Sequence, residues 1–364
     1  MLVFVGTYTD QILFGSGHVL QGKGEGIYAY RFDGIAGTLH LASINAGITN
    51  PSYLAFHPSR RFLYAVNELK TYEGKPTGTV SSFAVEDDEG RLRPLNTQLT
   101  YGTDPCHVAV DDAGKHVFVA NFMSGSVCVL PVRPDGSLRE PSDFIQHLGS
   151  SIDPARQKGP HAHAVTLDAG NRFAFVPDLG LDKLLAYRLD PLRGMLEPNG
   201  VPWLKMKPGA GPRQVVFHPG GSHAYVVNEL DSTVSVLIYD APGGTFEYVD
   251  TVSSLPADFT GASSCADIQV SPSGRHLYAS NRGHDSIAIF QVDAQSGALR
   301  LSGHESTQGR TPRSFGIDPT GRFLLAANQD TDNLVVFRVD PATGWPQPTG
   351  QVVSVPTPVC VKFL

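Results

Sequence analysis

The sequence predicts an all-β protein, a seven-bladed β-propeller, from three observations. A segment of alternating apolar and polar residues, broken by a turn, occurs six times at intervals of roughly fifty residues. A third apolar run follows each copy after a short polar loop. The two chain ends resemble the strands that one further repeat would need. Together these features predict four-stranded blades arranged in a closed ring.

Each copy of the repeat has the pattern of a β-hairpin. Alternation with a period of two predicts strands, and a Pro- or Gly-bearing turn between two such runs predicts that they pair. The copies are PSYLAFHPSRRFLYAVNE (51–68), PCHVAVDDAGKHVFVANF (105–122), PHAHAVTLDAGNRFAFVPD (160–178), PRQVVFHPGGSHAYVVNE (212–229), CADIQVSPSGRHLYASNR (265–282) and PRSFGIDPTGRFLLAANQ (312–329).

The remaining strands follow from the same pattern. Fourth strands are more polar, as strands at the outer edge of a blade should be. Third strands are expected at 79–85, 126–132, 183–189, 233–239, 286–292 and 333–339. The seventh blade would combine 357–364 as its inner strand with 2–10 and 26–33. A blade shared between both termini closes the ring, so we expect a single domain over 1–364.

Segment 11–25 lies between two strands of that shared blade and is rich in glycine. It is longer than a normal hairpin loop, so it could cover one mouth of the ring or form a surface insertion. We favour the surface insertion.

Composition limits the partners and the compartment. The net charge of −7 argues against nucleic acid as a partner, because phosphate binding needs a concentrated positive surface. No apolar stretch has the length of a membrane span or the form of a secretory signal. The four cysteines have no metal-type spacing, so we expect buried free thiols and a cytoplasmic protein. We also expect a monomer or a weak homo-oligomer.

Charged residues and histidines depart from the repeat at one end of each hairpin. First-strand starts and second-strand ends lie at the same end of an antiparallel hairpin, so these side chains should ring one mouth. They are His107, His161, His163, Arg213, Asp267 and Arg313 at the starts, and Glu68, Glu229 and Arg282 at the ends. Solvated rim residues and salt bridges between blades are the structural alternative. An imidazole beside a carboxylate can act as a base, and arginines bind anions or a developing oxyanion, so the set favours a small anionic substrate.

Other motifs fail on spacing. The run 22–26 (GKGEG) precedes a strand and lacks phosphate-loop spacing, and 261–265 (GASSC) lacks the second glycine of a nucleophile elbow. His161 and His163 could supply two ligands from one strand face, but no third ligand is suggested. We therefore expect neither a metal nor a cofactor.

The chain resembles the lactonase family of seven-bladed propellers, which includes propeller-type 6-phosphogluconolactonases and carboxy-cis,cis-muconate cyclases. The matching stretches span nearly the whole chain: VGTYT, NPSYLAFHPSRRFLYAVNE, KGPHAHAV, GPRQVVFHPGGSHAYVVNEL, DIQVSPSGRHLYASNRGHDSIAIF, TPRSFGIDPTGRFLLAANQDTDNLVVFRVD and PVCVKFL. The resemblance implies a metal-free site with a histidine in PHAH, Arg213 of GPR, Glu229 of NEL and Arg282 of SNRG. We favour His163 as the family histidine, with His161 nearer the rim.

The resemblance implies hydrolysis of a sugar-acid lactone, with 6-phosphogluconolactone as the leading substrate. In this hypothesis His163, paired with Glu229, deprotonates water and Arg213 stabilises the oxyanion. Arg282 and Arg313, together with Lys158, would hold the phosphate. Further contacts with the substrate are expected from His161, His107 and Glu68. A muconate-type lactonising cycloisomerase on the same site is the first alternative. A non-catalytic propeller scaffold is the second, because the fold does not dictate function.

Overall fold

The computed structural model describes all of residues 1–364, and its regular secondary structure is almost entirely β-strand. The first fifteen are β1 (Leu2–Thr7), β2 (Gln11–Leu13), β3 (Val19–Gln21), β4 (Gly26–Asp33), β5 (Thr38–Ala46), β6 (Leu54–Phe56), β7 (Phe62–Asn67), β8 (Thr79–Val85), β9 (Leu92–Leu99), β10 (Pro105–Val110), β11 (His116–Asn121), β12 (Ser126–Pro131), β13 (Asp143–Gln146), β14 (Thr166–Leu167) and β15 (Phe173–Asp178).

The second half of the chain continues the pattern, with one short 3₁₀ helix at Gln329–Thr331. Its strands are β16 (Lys183–Asp190), β17 (Met195–Lys205), β18 (Pro212–Phe217), β19 (His223–Asn228), β20 (Thr233–Asp240), β21 (Thr245–Ser253), β22 (Ser264–Val270), β23 (His276–Arg282), β24 (Ser286–Val292), β25 (Leu299–Ser306), β26 (Pro312–Ile317), β27 (Phe323–Asn328), β28 (Asn333–Val339), β29 (Pro346–Ser354) and β30 (Pro358–Phe363).

These strands form seven four-stranded antiparallel blades, which confirms the predicted seven-bladed propeller. Blades 2 to 7 each take four consecutive strands: β6–β9, β10–β13, β14–β17, β18–β21, β22–β25 and β26–β29. Blade 1 has the order β30-β1-β4-β5, so the two chain ends share one sheet. Val5 pairs with Val361 on one side and with Tyr28 on the other, which closes the ring by backbone hydrogen bonds. Because β1 is paired on both sides, no open sheet edge remains at the seam.

The core lies between neighbouring blades. Between blades 7 and 1, for example, Tyr30, Phe323, Leu325 and Val336 pack together and are almost fully buried. Burying each such side chain contributes roughly 1.5–3 kcal/mol relative to exposure. The alternation seen in the sequence thus has its physical cause in the stacking of one blade on the next.

Two segments outside the blades lie near the mouth of the ring. Strands β2 and β3 form a separate two-stranded hairpin, and Phe14 at its tip packs edge-on against Tyr8. The loop between β13 and β14 (147–165) contains a turn in which Asp153 accepts backbone N–H groups from Ala155 and Arg156. All four cysteines are buried and unpaired, and no helix is long and apolar enough to cross a membrane.

Candidate active site

Five inner strands, β10, β18, β22, β26 and β30, begin with a β-bulge at one mouth of the ring, and three of these bulges involve residues of the candidate site. The pairing register skips Cys106 in β10, Arg213 in β18 and Arg313 in β26. A bulged residue is not paired with the neighbouring strand, so its side chain does not follow the alternation of the residues on either side of it. All three side chains line cavities at the centre of the ring.

The larger cavity has a volume of about 270 Å³ and is lined by polar and charged side chains from most of the blades. The tip of the 11–21 hairpin also lines it, through Phe14 and His18 among others. The interpretation of segment 11–25 as a surface insertion is therefore wrong, because the hairpin forms part of the cavity wall. A much smaller adjoining cavity, about 20 Å³, shares Cys106, His163 and Arg313 with the larger one.

His163 lies in the cavity with one ring nitrogen free. Its Nδ1 faces the Cys106 Sγ at 3.6 Å, the edge of the Phe122 ring packs against it, and Nε2 has no hydrogen-bond partner in the protein. Burial, followed by the nearby Arg213 guanidinium, holds the pKa of His163 well below its usual value. The imidazole is therefore neutral near pH 7 and can accept a proton.

His161 takes a different position, although it is only two residues away. Its Nδ1–H donates to the carbonyl oxygen of Phe122 at 3.0 Å, and its ring stacks on the Phe122 ring at 4.7 Å. It lines neither cavity. The expected first strand of this repeat is reduced to Thr166–Leu167 plus one isolated bridge at Ala162, so the strand-face rule for residues two apart does not apply here.

Glu229 is the centre of an ion-pair cluster. Its carboxylate oxygens lie 2.7 Å from Arg156, 3.1 Å from Arg213 and 2.9 Å from Arg282. Burial alone would raise the pKa of Glu229, but the three guanidiniums outweigh it and hold the pKa well below its usual value. The expected hydrogen-bonded pair of His163 and Glu229 is wrong, because the arginines occupy both oxygens and no hydrogen bond joins the two side chains.

The arginines of this cluster differ in access to the cavity. Arg213 is buried, donates to the Ala266 carbonyl as well as to Glu229, and lines only the smaller cavity. Arg282 and Arg156 line the larger cavity. The predicted oxyanion donor, Arg213, thus faces only the smaller cavity, which it shares with His163, whereas Arg282 faces the larger one.

Arg156 is a site residue that the repeat pattern did not indicate. It comes from the loop that follows β13, where Gln157 is fully buried and its Nε2–H donates to the Leu179 carbonyl at 2.8 Å. That anchor and the turn at Asp153 place Arg156 over Glu229. The position falls outside the repeated hairpins, so comparison between copies gives no signal for it.

Arg313 forms no ion pair. Its guanidinium carbon lies 5.4 Å from the centre of the Tyr8 ring and 5.0 Å from that of Phe14, so the two rings hold it in place by cation–π contact. The Tyr8 hydroxyl donates to Glu68 Oε2 at 3.0 Å. The positive charge of Arg313 is therefore available to an anionic group in the cavity.

The remaining predicted residues divide between the cavities and the surface. Glu68 lines both cavities. His107 lines only the smaller one, where its ring lies over Tyr53 at 4.2 Å and its Nδ1 accepts the Val165 N–H. Lys158 is exposed and lines neither cavity, so the structure does not place it with the other predicted residues. No group of three or more His, Cys, Asp or Glu side chains is arranged to hold a metal ion.

Comparison with known proteins agrees with this architecture. The family model described as "Lactonase, 7-bladed beta-propeller" matches residues 2–363. The chain belongs to the lactonase family of seven-bladed β-propellers. Among its relatives in this lactonase family, a 6-phosphogluconolactonase of Bacillus subtilis is 40% identical over 361 residues, which are 99% of this chain and 97% of that protein. A 6-phosphogluconolactonase of Formosa agariphila is 35% identical over 322 residues, 87% of this chain and 86% of that protein.

A solved structure in this lactonase family has the same overall shape. The periplasmic gluconolactonase of Pseudomonas aeruginosa superposes with a TM-score of 0.91 at 35% identity, covering 100% of this chain and 99% of that one. In the present chain, the cavity combines a neutral buried imidazole, a guanidinium cluster and an unpaired Arg313. This arrangement can take a proton from water and stabilise negative charge that develops on a bound ester.

Proposed function

We propose that the protein hydrolyses the 1,5-lactone of a sugar acid, with 6-phosphogluconolactone as the leading substrate and 6-phosphogluconate as its product. The observation that carries the proposal is His163, a neutral imidazole whose free Nε2 belongs to the same cavity as Arg282 and Arg313. The relatives named 6-phosphogluconolactonase support the choice of substrate.

In this mechanism, Nε2 of His163 accepts a proton from a water molecule as the water oxygen adds to the lactone carbonyl. The carbonyl oxygen becomes an oxyanion, which Arg282 stabilises as a charged donor. Collapse of the tetrahedral intermediate breaks the bond to the ring oxygen, and the imidazolium returns its proton to that oxygen. General-base and oxyanion contributions of about a hundredfold each suffice for an ester that already hydrolyses slowly in water.

Glu229 has a supporting role in this mechanism. Its carboxylate fixes the positions of Arg156, Arg213 and Arg282 and offsets part of their charge. Arg313 makes no ion pair, so we assign it to the anionic group of the substrate, a phosphate in the leading case.

The test is turnover of freshly prepared 6-phosphogluconolactone, followed by NMR against the spontaneous rate in buffer. Glucono-1,5-lactone and a carboxymuconate are run in parallel. The proposal expects both lactones to open much faster than in buffer and the muconate to remain unchanged. Cyclisation of the muconate, with neither lactone opened above the buffer rate, would replace hydrolysis by the cycloisomerase alternative.

A further inference from the structure

Asp104 is a buried carboxyl group without a partner. It precedes β10 in the left-handed backbone region, with φ of +52°, and is 4% exposed. Neither of its side-chain oxygens accepts a hydrogen bond from the protein, and Oδ2 is wholly buried. The other buried aspartates all accept hydrogen bonds: Asp111, Asp168, Asp178, Asp182, Asp267 and Asp318.

This carboxyl group lines the larger cavity beside Glu68. Glu68 uses Oε2 for the Tyr8 hydroxyl, while Oε1 makes no hydrogen bond. In the ring, Glu68 follows the second strand of blade 2 and Asp104 precedes the first strand of blade 3. Arg282 ends the second strand of blade 6, on the opposite side of the ring. The cavity therefore has an acidic wall, Asp104 with Glu68, facing a basic wall. Burial first, and the Glu68 charge second, raise the pKa of Asp104 to about 7.

When ionised, the two carboxylates of this wall offer only hydrogen-bond acceptors, so a ligand that pairs with them must supply donors; for Asp104 this holds above its raised pKa of about 7. Hydroxyl groups supply donors without adding negative charge, whereas a carboxylate or phosphate is repelled by Glu68 and is bound only where Arg313, packed on Tyr8, offsets that charge. An open-chain muconate carries only carboxylates and no hydroxyl group, so it donates no hydrogen bond to Asp104 or Glu68. A sugar lactone carries several hydroxyls around the ring that is opened.

We propose that Asp104, together with Glu68, accepts hydrogen bonds from substrate hydroxyl groups and so selects a polyhydroxylated lactone. This rests on the proposed function and adds a specificity-determining residue to it. A site built to bind a hydroxyl discriminates strongly against an analogue without it, by about 10⁴–10⁵ in favourable cases, because its buried polar groups are then left unpaired.

The test compares two six-membered lactones, glucono-1,5-lactone and δ-valerolactone, which has no hydroxyl groups. Wild type is compared with Asp104→Leu, which has similar shape and no acceptor, and with Asp104→Asn, which keeps one. We expect Asp104→Leu to lower kcat/KM for the hydroxylated lactone at least a hundredfold and to leave that for δ-valerolactone unchanged. Asp104→Asn should fall between wild type and Asp104→Leu. Because the Asp104 side chain makes no hydrogen bond and asparagine tolerates the positive φ, the thermal midpoint of Asp104→Asn should equal or exceed that of wild type, whereas Asp104→Leu adds backbone strain and should lower the midpoint.

Asp330→Asn is the matched control, because Asp330 lines the same cavity but already accepts hydrogen bonds from Thr311 and Gln329. It should change both lactone rates by the same factor. A hydroxylated-lactone rate unaffected by Asp104→Leu would overturn the proposal, as would an equal fall for both lactones.

Binding of glucitol, a polyol without a carbonyl, separates this proposal from the proposed function. Calorimetry should show glucitol binding to wild type and at least tenfold weaker binding to Asp104→Leu. If wild type opens no lactone but binds glucitol through Asp104, hydrolysis fails and hydroxyl recognition stands. If lactones are opened and glucitol binds both forms equally, hydrolysis stands and the role of Asp104 is overturned.

Discussion

Replacing Glu229 by Gln should destabilise the protein through the cluster of arginines that the carboxylate holds together. The substitution keeps the shape and one acceptor but removes a buried negative charge in contact with Arg156, Arg213 and Arg282. At about 4 Å between charge centres, each pair is worth roughly 4 kcal/mol at an effective dielectric constant near 20. Desolvation and repulsion among the arginines offset most of that sum. Removing one partner of a buried ion pair leaves a net loss of about 3–5 kcal/mol.

The assay is denaturant unfolding of wild type and Glu229→Gln at two pH values. The folded-state pKa of Glu229 is lowered, so its stabilisation is present above the unfolded-state pKa, near 4.3, and is lost as pH falls through the folded-state pKa. The difference between the two proteins should therefore shrink by about 1 kcal/mol between pH 6 and pH 3.5. Glu68→Gln, which loses no ion pair, should cost about 1 kcal/mol or less. A Glu229→Gln protein as stable as wild type at pH 6 would show that the carboxylate does not hold the arginine cluster together.

Three further predictions concern the catalytic cavity. Arg313→Met should raise KM for 6-phosphogluconolactone by about 10- to 100-fold, because one charge-assisted contact with the phosphate is lost. KM for glucono-1,5-lactone, which has no phosphate, should stay nearly unchanged. Equal increases in KM for both lactones would contradict the phosphate-binding role of Arg313. Because burial lowers the pKa of His163, the acid limb of the pH profile of kcat/KM should lie well below pH 6.5 in Asp104→Asn, a background in which the Asp104 carboxyl cannot titrate; a limb at or above pH 6.5 in that variant would exclude His163 as the base. Arg156→Met should cost about 1–2 kcal/mol in denaturant unfolding, less than Glu229→Gln, because two guanidiniums remain on the carboxylate; an equal or larger loss would show that Arg156 dominates the cluster.

The fold could be predicted because one physical pattern is repeated along the chain. Third strands expected at 79–85, 286–292 and 333–339 occur with those bounds, and the blade shared by both termini is present. Each blade packs apolar side chains against the blades on both sides of it. The alternating pattern therefore recurs in every copy and identifies the corresponding strands of each blade. Segment 11–25 has no counterpart in the other copies, so comparison between copies could not decide between a surface insertion and a cover over the mouth.

The site was harder to predict, because it depends on departures from strand geometry. Alternation places His107 at the mouth, but a bulge directs its neighbour Cys106 into the larger cavity instead. In β10, β18 and β26 the bulged residue follows a proline, but the copies that begin at Pro51 and Pro160 pair without a register shift, so residue type alone does not predict the bulge. Arg156 lies in a loop outside the repeat, and Asp104 has no counterpart of its kind in the other copies. The predicted pairing of His163 with Glu229 is wrong although both residues lie at the mouth. The sequence cannot show that three arginines, and not the histidine, contact the Glu229 carboxylate.

The most direct test of the account is the rate of lactone opening by His163→Ala, with His161→Ala as its matched control. His163 has its free Nε2 in the cavity, whereas His161 is bound to the Phe122 carbonyl outside it. The account predicts that kcat for 6-phosphogluconolactone falls at least a hundredfold in His163→Ala and changes only a few-fold in His161→Ala. Full activity in His163→Ala, or loss of activity in His161→Ala alone, would contradict it.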